Sequence, residues 1–305
     1  MLAALATHGF LTVELLSLAF YPLQAGPSAV SVRANWRTRQ LWLWGFLERV
    51  ELPVPRCSKG SKPSLFMVGP QGVPFAAQRL EPGISALVRR VDRLDAALVP
   101  HDMVTAALWA NLTAAPRGTT GTVAPWIPEQ VLRGKKIVLR DPDSNYRLPV
   151  LPDAYFVLSY ADRAEVQACF LEVDMGTLTR ERSARKLRAF RLYQTLGLAD
   201  EHWGQRWLHV LVIVPSAARR QGLMALAKET LGDSWWPWLG FLTVAGLAPL
   251  GFDQAPPRRL DGDRRRLLLT PTTVPVGATS PWQWRPAHVQ AAFGLGDPRP
   301  GSVRF

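Results

Sequence analysis

Apolar positions in the first eighty residues recur as three short helical stretches followed by two extended runs. Residues 2–7 read as a short apolar helix. A turn at Phe10, Leu11 and Thr12 follows, with Thr12 placed to cap a second helix whose apolar face carries Leu15, Leu16 and Ala19. Residues 22–27 form a loop, and Ser28 can cap a longer third helix reaching about Gly45. Its apolar residues Val32, Trp36, Leu41, Leu43 and Trp44 are expected to form the buried side. Arg33, Asn35, Arg37, Arg39 and Gln40 crowd near the other side. Residues 46–52 and 64–68 alternate as extended runs, with the basic, turn-rich loop PVPRCSKGSKP between them.

Helical spacing resumes over residues 81–115, where Leu87, Val91, Leu94, Leu98, Val104, Ala107 and Leu108 line one side. This stretch reads as a connector or a coiled arm, and such an arm also suits a homodimer. His101 and Asp102 within it read as a helix-capping Asp with a neighbouring His rather than as a metal pair. The Gly/Thr-rich stretch 116–125 marks a boundary. Beyond it, WIPEQVLRGK predicts a short helix, LRDPDSNYRLPVL a polar loop, and PDAYFVLSY and VQACFLEVDMG two strands joined by the turn ADRAE. Next come a long basic helix with Leu178, Leu187, Phe190 and Tyr193 inward, the continuous apolar strand WLHVLVIVPS, and the helix AARRQGLMALAKETL. An unbroken apolar strand between helices implies burial on both sheet faces, hence an α/β layer in a chain that is α+β overall. The predicted division is residues 1–80, a connector at 81–120, a sheet unit at 121–232, and an apolar segment with a Pro/Gly/Arg-rich tail at 233–305.

Composition sharpens this picture in three ways. The 305 residues are 48% hydrophobic, enough for packed cores, and the length suggests more than one domain. Lys and Arg total 36 against 24 Asp and Glu, a net charge of +12, which points to a polyanionic partner. Cys57 and Cys169 are too far apart and too few for a cysteine zinc site or a disulfide scaffold, so a reducing, cytoplasmic setting is expected. The first nine residues read as the start of a helix rather than a signal peptide. The uncharged stretch 234–252 is near the length of a membrane span, but Pro237, Pro249 and three glycines interrupt it. It reads as a buried or partner-facing segment, and a membrane partner is not expected. No GxxxxGK[ST], GxSxG or HExxH motif is present, so no nucleotide cofactor is expected.

The candidate chemistry lies in carboxylates. Glu172 and Asp174 sit two apart at the end of one predicted strand and so share a face. If that strand pairs with the preceding one, Asp153 comes near Glu172. Asp153, Glu172 and Asp174 converging at one sheet end would need a cation among them, and Mg²⁺ or Mn²⁺ is the natural choice.

Three resemblances follow from these residues. GFLTVELLSLAF, RANWRTRQLWLWGFLERV and SLFMVGPQG together resemble a winged helix-turn-helix. That resemblance implies contact with double-stranded DNA, with Arg33, Asn35, Arg37 and Arg39 in the groove and Arg56, Lys59 and Lys62 on phosphates. The order of helix, Pro-Asp strand, Glu strand and basic helix resembles the PD-(D/E)XK nuclease fold, a mixed sheet flanked by helices. It implies catalytic roles for Glu129, Asp153 and Glu172. Asp174 stands where that fold has its strand lysine, and Lys186 on the next helix is the candidate substitute. The full order, above all LPDAYFVL and FLEVDMGT with the basic helix behind them, resembles the replication-relaxation family of bacterial plasmids and mobile elements. This implies DNA binding tied to replication or relaxation, with a Mg²⁺-dependent nickase or nuclease as one expectation. The alternative is a non-catalytic winged-helix regulator of replication or transcription, and a membrane-attached DNA tether using 234–252 is a third.

Overall fold

In a computed structural model, residues 1–21, 26–51, 64–80, 98–114, 121–160, 166–232 and 238–247 are described. The chain opens with α1 (Leu2–His8), the two-residue strand β1 (Leu11–Thr12), α2 (Val13–Phe20) and α3 (Gly26–Leu43). The strands β2 (Leu47–Glu51) and β3 (Ser64–Val68) follow, then the short helix α4 (Val73–Ala77). The Thr12 hydroxyl accepts from the Leu15 amide at 3.3 Å, so the expected cap of α2 forms. The expected turn at residues 10–12 is instead an edge strand: β1 joins β3 and β2 in an antiparallel sheet ordered β1-β3-β2. Gly72 is required where β3 ends, since a Cβ there would lie 2.3 Å from the Phe46 carbonyl oxygen.

Helix α3 corrects the sequence reading of its faces. Among the residues of α3 whose burial is described, Ala34 and Thr38 are the buried ones, and the Thr38 hydroxyl is satisfied by donating to the Ala34 carbonyl at 2.8 Å. Val32, Trp36, Leu43 and Trp44, expected inside, are exposed. Short residues at 34 and 38 let α3 approach α2 closely, so the larger apolar residues fall on the far side. The helix also begins at Gly26, ahead of the expected cap at Ser28.

The rest of the chain builds one mixed sheet and its covering helices. Helix α5 (Val99–Ala114) leads to β4 (Gly121–Pro128), the single turn α6 (Glu129–Leu132), and a hairpin of β5 (Ile137–Arg140) and β6 (Arg147–Val150). Strands β7 (Ala154–Tyr160) and β8 (Val166–Val173) are followed by α7 (Arg180–Thr195), α8 (Leu198–Trp203), β9 (His209–Val214), α9 (Ala217–Leu231) and β10 (Leu239–Thr243). The sheet order is β10-β9-β8-β7-β4; β7 is antiparallel to both its neighbours β4 and β8, and β8, β9 and β10 run parallel.

Two readings of the sequence are corrected here. Residues 121–128 were expected as linker and helix start, yet they form an edge strand. A register shift between Val123 and Trp126 accommodates Pro125, and such a break is where an edge strand tolerates proline. The polar loop at 139–151 is a hairpin whose turn is held by Asp141, which accepts from the Asp143 amide and the Ser144 hydroxyl. The uncharged stretch 234–252 supplies β10, and among the described residues no helix is long and apolar enough to cross a membrane.

Alternation along β7 and β8 divides the sheet between two cores. Phe156, Leu158, Cys169 and Leu171 pack with α1, α2 and Met103, Ala107 and Leu108 of α5. Tyr155, Val157, Ala168 and Phe170 pack with Leu187, Phe190 and Tyr193 of α7, Trp203 of α8 and Leu223 and Leu226 of α9. The first core is continuous from the N-terminal helices to the sheet. Leu98, expected on the buried side of the connector, is exposed, and Leu87, Val91 and Leu94 lie outside the described residues.

Phe156 is fully buried in the joining core and stacks on Trp126 with centroids 5.1 Å apart. Phe156→Ala is expected to cost about 3–5 kcal/mol, read as a lowered midpoint in urea unfolding followed by tryptophan fluorescence.

Candidate functional site

The antiparallel register of β7 and β8 pairs Ala154 with Leu171, which sets Asp153 against Glu172 at one end of the sheet. The backbone locks this junction. The Asp153 amide donates to the Leu171 carbonyl at 2.8 Å, and the Glu129 amide donates to the Asp153 carbonyl at 2.9 Å. The Asp153 carboxylate accepts from the Val173 amide at 2.6 Å. Asp153 is therefore a lynchpin of the strand end as well as a charged group.

Two cations meet these carboxylates. Lys186 on α7 donates through Nζ to Glu172 Oε1. Its place follows from the helix pattern: α7 buries Leu187 and Phe190 against the sheet, which carries the adjacent Lys186 to the rim of that face. His101, in the first turn of α5, sets Nε2 3.2 Å from Asp153 Oδ2 and Nδ1 3.2 Å from Asp102 Oδ1. The imidazole thus bridges two carboxylates from different parts of the chain. Glu129 adds a further negative charge near Lys186, while Arg133 holds its carboxylate at 3.0 Å.

The electrostatics follow from burial and these partners. Glu172 is buried, and loss of water pushes its carboxyl pKa up to about 8; the Asp153 charge adds to that, and Lys186 only partly opposes it. Burial pulls Lys186 down, but Glu172 and Asp153 outweigh it and hold its pKa above the ordinary lysine value. Burial likewise pulls His101 down, yet its hydrogen bonds to Asp102 and Asp153 win and lift it to about 10. Lys186 and His101 are both cationic at neutral pH. Glu172 Oε2 is buried and has no hydrogen-bond partner, a state that a polar atom in a folded protein seldom tolerates.

Of the residues expected in the site, Asp153, Glu172, Lys186 and Glu129 come together. Asp174 does not join them. Arg219 of α9 donates to one of its oxygens through both Nε and Nη2 at 3.1 and 2.7 Å, and the Gly176 amide donates to its other oxygen at 2.6 Å. Among the described residues no group of three or more His, Cys, Asp or Glu side chains is arranged to hold a metal ion. Arg33, Asn35, Arg37 and Arg39 are exposed on α3; Arg56, Lys59 and Lys62 lie outside the described residues. Sequence reasoning missed His101 as a member of the cluster and Arg219 as the partner of Asp174. A helix N-terminal His–Asp pair was the only local signal for the first, and nothing in the spacing signals the second.

Fold and site define a mixed α/β protein with a charge-compensated carboxylate pair at the end of its sheet. The chain belongs to the replication-relaxation family, whose model matches residues 2–205, more than half its length. No curated protein and no solved structure matches it. The matched range includes His101, Glu129, Asp153, Glu172 and Lys186 but ends before Arg219.

Two outcomes follow from the charges. Asp174 is only 3% exposed, so Arg219→Ala leaves an uncompensated buried carboxylate. A loss of about 3–5 kcal/mol in denaturant unfolding is expected, with Arg219→Lys recovering part of it. The second concerns pH. His101 has a raised folded pKa, so its stabilisation is fully present below about 6.5 and is lost as pH rises towards about 10. Glu172 also binds its proton more tightly when folded, so its contribution falls between about 4.5 and 8. Melting temperature should therefore drop from pH 6 to 10, and less steeply in His101→Gln, as scanning fluorimetry can measure.

Proposed function

We propose that the protein binds double-stranded DNA and nicks it in a Mg²⁺- or Mn²⁺-dependent reaction during replication or relaxation of a replicon. The observation that carries this reading is the meeting of Asp153 and Glu172 at adjacent strand ends, with Lys186 on one Glu172 oxygen and the other oxygen buried without a partner. With the β5–β6 hairpin and the short helices α6 and α8 set aside as insertions, the helix–three-strand–helix–strand order of α5, β4, β7, β8, α7 and β9 supports a PD-(D/E)XK-type fold, and the paired antiparallel strands supply the acidic positions. The order α1, β1, α2, α3, β2, β3, with its β1-β3-β2 sheet, supports a winged-helix reading of the N-terminal module.

The residues suit a hard cation. An unpartnered buried carboxylate oxygen beside a second carboxylate is an oxygen-donor set, and Mg²⁺ is commonly held by one or two carboxylates with water and substrate phosphate completing the shell. Asp153 and Glu172 would hold it, and it would supply charge neutralisation at the phosphate and an activated water. Lys186, held cationic, cannot act as a base; it stabilises negative charge growing on the phosphoryl oxygens and orients the water. His101 fixes the Asp153 carboxylate, and Glu172 and Asp153, with a smaller contribution from Glu129, keep Lys186 charged. The exposed Arg33, Asn35, Arg37 and Arg39 face DNA, with Arg56, Lys59 and Lys62 as phosphate contacts.

A second reading has its own observation. Arg219 occupies Asp174, at the position where a nuclease of this type carries its strand lysine. A non-catalytic DNA-binding regulator would keep the cluster for stability alone.

Incubating supercoiled plasmid with the protein and Mg²⁺ or Mn²⁺ separates the two. Open-circle product that vanishes with chelator, in Asp153→Ala/Glu172→Ala and in Lys186→Ala, is the expected result. Intact supercoils alongside an equal gel shift for wild type and variants would leave the regulator reading.

A further inference from the structure

The outermost line of α3 is apolar, and that placement is unusual for a helix otherwise rich in arginine. At about 100° per residue, Val32, Trp36 and Leu43 fall within about 40° of one another on the side opposite buried Ala34 and Thr38. They are 67%, 60% and 58% exposed. Arg33 borders this stripe on one side, with Arg37 about 40° further round, and Arg39 borders it on the other, all exposed; Trp42, 41% exposed, lies beyond Arg39. Trp44, 56% exposed, continues the arginine-bordered edge past the helix end.

We infer that this face of α3 binds unpaired DNA bases beside a duplex, with Trp36 as the stacking platform and Arg33, Arg37 and Arg39 tracking the phosphates. The inference rests on the DNA-binding reading above and narrows its substrate to a single-stranded segment adjoining duplex. The chemistry selects the occupant. A large indole held outward between guanidinium groups offers a π face and positive charge together, the pairing that binds single strands without sequence preference. Intact duplex hides its base faces in the stack and offers only edges and phosphates, which leaves the indole face unused. A second copy of this helix would bring its arginines against like charges, so charge opposes self-association there. An interfacial membrane helix needs an unbroken apolar face, whereas here arginines interrupt the exposed apolar residues on both sides of the stripe.

The test compares a blunt duplex with the same duplex carrying a fifteen-nucleotide dT tail. Fluorescence anisotropy is read with the full chain in chelator, so that no cleavage intervenes. Wild type should bind the tailed duplex about tenfold or more tightly than the blunt one, Trp36→Ala should lose that gain, and Trp36→Phe should keep most of it. Trp36 is exposed, so the alanine variant should melt like wild type, and its blunt-duplex affinity should change little. Equal affinity of wild type for both DNAs would overturn the inference, as would a tail-dependent gain that survives in Trp36→Ala. So would a Trp36→Ala variant that keeps the gain but loses self-association in ultracentrifugation or capture on phosphatidylserine vesicles. Wild type that binds blunt duplex without a tail-dependent gain sinks this inference and leaves duplex binding standing. Wild type that binds only when the tail is present sinks duplex binding and leaves the inference.

Discussion

The pairing of β7 with β8 is the constraint on which the rest depends. Its register sets Asp153 against Glu172, and two carboxylates at one buried sheet end repel each other unless cations meet them. The chain supplies those cations from opposite directions. Lys186 comes from α7 on one face of the sheet, and His101 comes from α5, which packs with the N-terminal core on the other. Charge compensation therefore does more than quiet the sheet end: it ties helices of both layers to one point.

That point is poised rather than saturated. Glu172 spends one oxygen on Lys186 and leaves the other buried without a partner, and its carboxyl is pushed up to about 8 mainly by burial. An unpaired buried polar atom costs free energy that an apolar residue would not, so the spare oxygen is the feature of the cluster that its structural partners do not account for. Asp174 makes the contrast. It lies two residues on, is equally buried, and is fully satisfied by Arg219 and the Gly176 amide. Of the two neighbouring acids, one is structural and the other has an oxygen to spare.

Much of this was legible in the sequence, for identifiable reasons. The strands at 154–160 and 166–173 were marked by β-branched and aromatic runs, and the turn expected from ADRAE, which lies outside the described residues, made antiparallel pairing, and hence the Asp153–Glu172 approach, foreseeable. The Thr12 cap was local chemistry and equally readable. What failed was whatever depended on distant packing. The faces of α3 were misassigned because size was taken for burial, whereas close packing there selects Ala34 and Thr38. Strand β4 hid behind Pro125 and Gly/Thr-rich composition because an edge strand with a register shift need not show clean alternation. The hairpin at 137–150 was masked by its polar turn. His101 and Arg219 were out of reach because their partners lie 52 and 45 positions away in the chain. The family match over residues 2–205 agrees with the sequence resemblance.

The claim that the Asp153–Glu172 pair is a divalent-cation site is tested most directly by titrating Mn²⁺ into the metal-free protein and following its free-ion signal by electron paramagnetic resonance. One bound Mn²⁺ per chain in the wild type, lost in both Asp153→Asn and Glu172→Gln while each variant keeps its native circular dichroism, is the predicted result. No bound Mn²⁺ in the wild type, or the same binding in the folded variants, would contradict it.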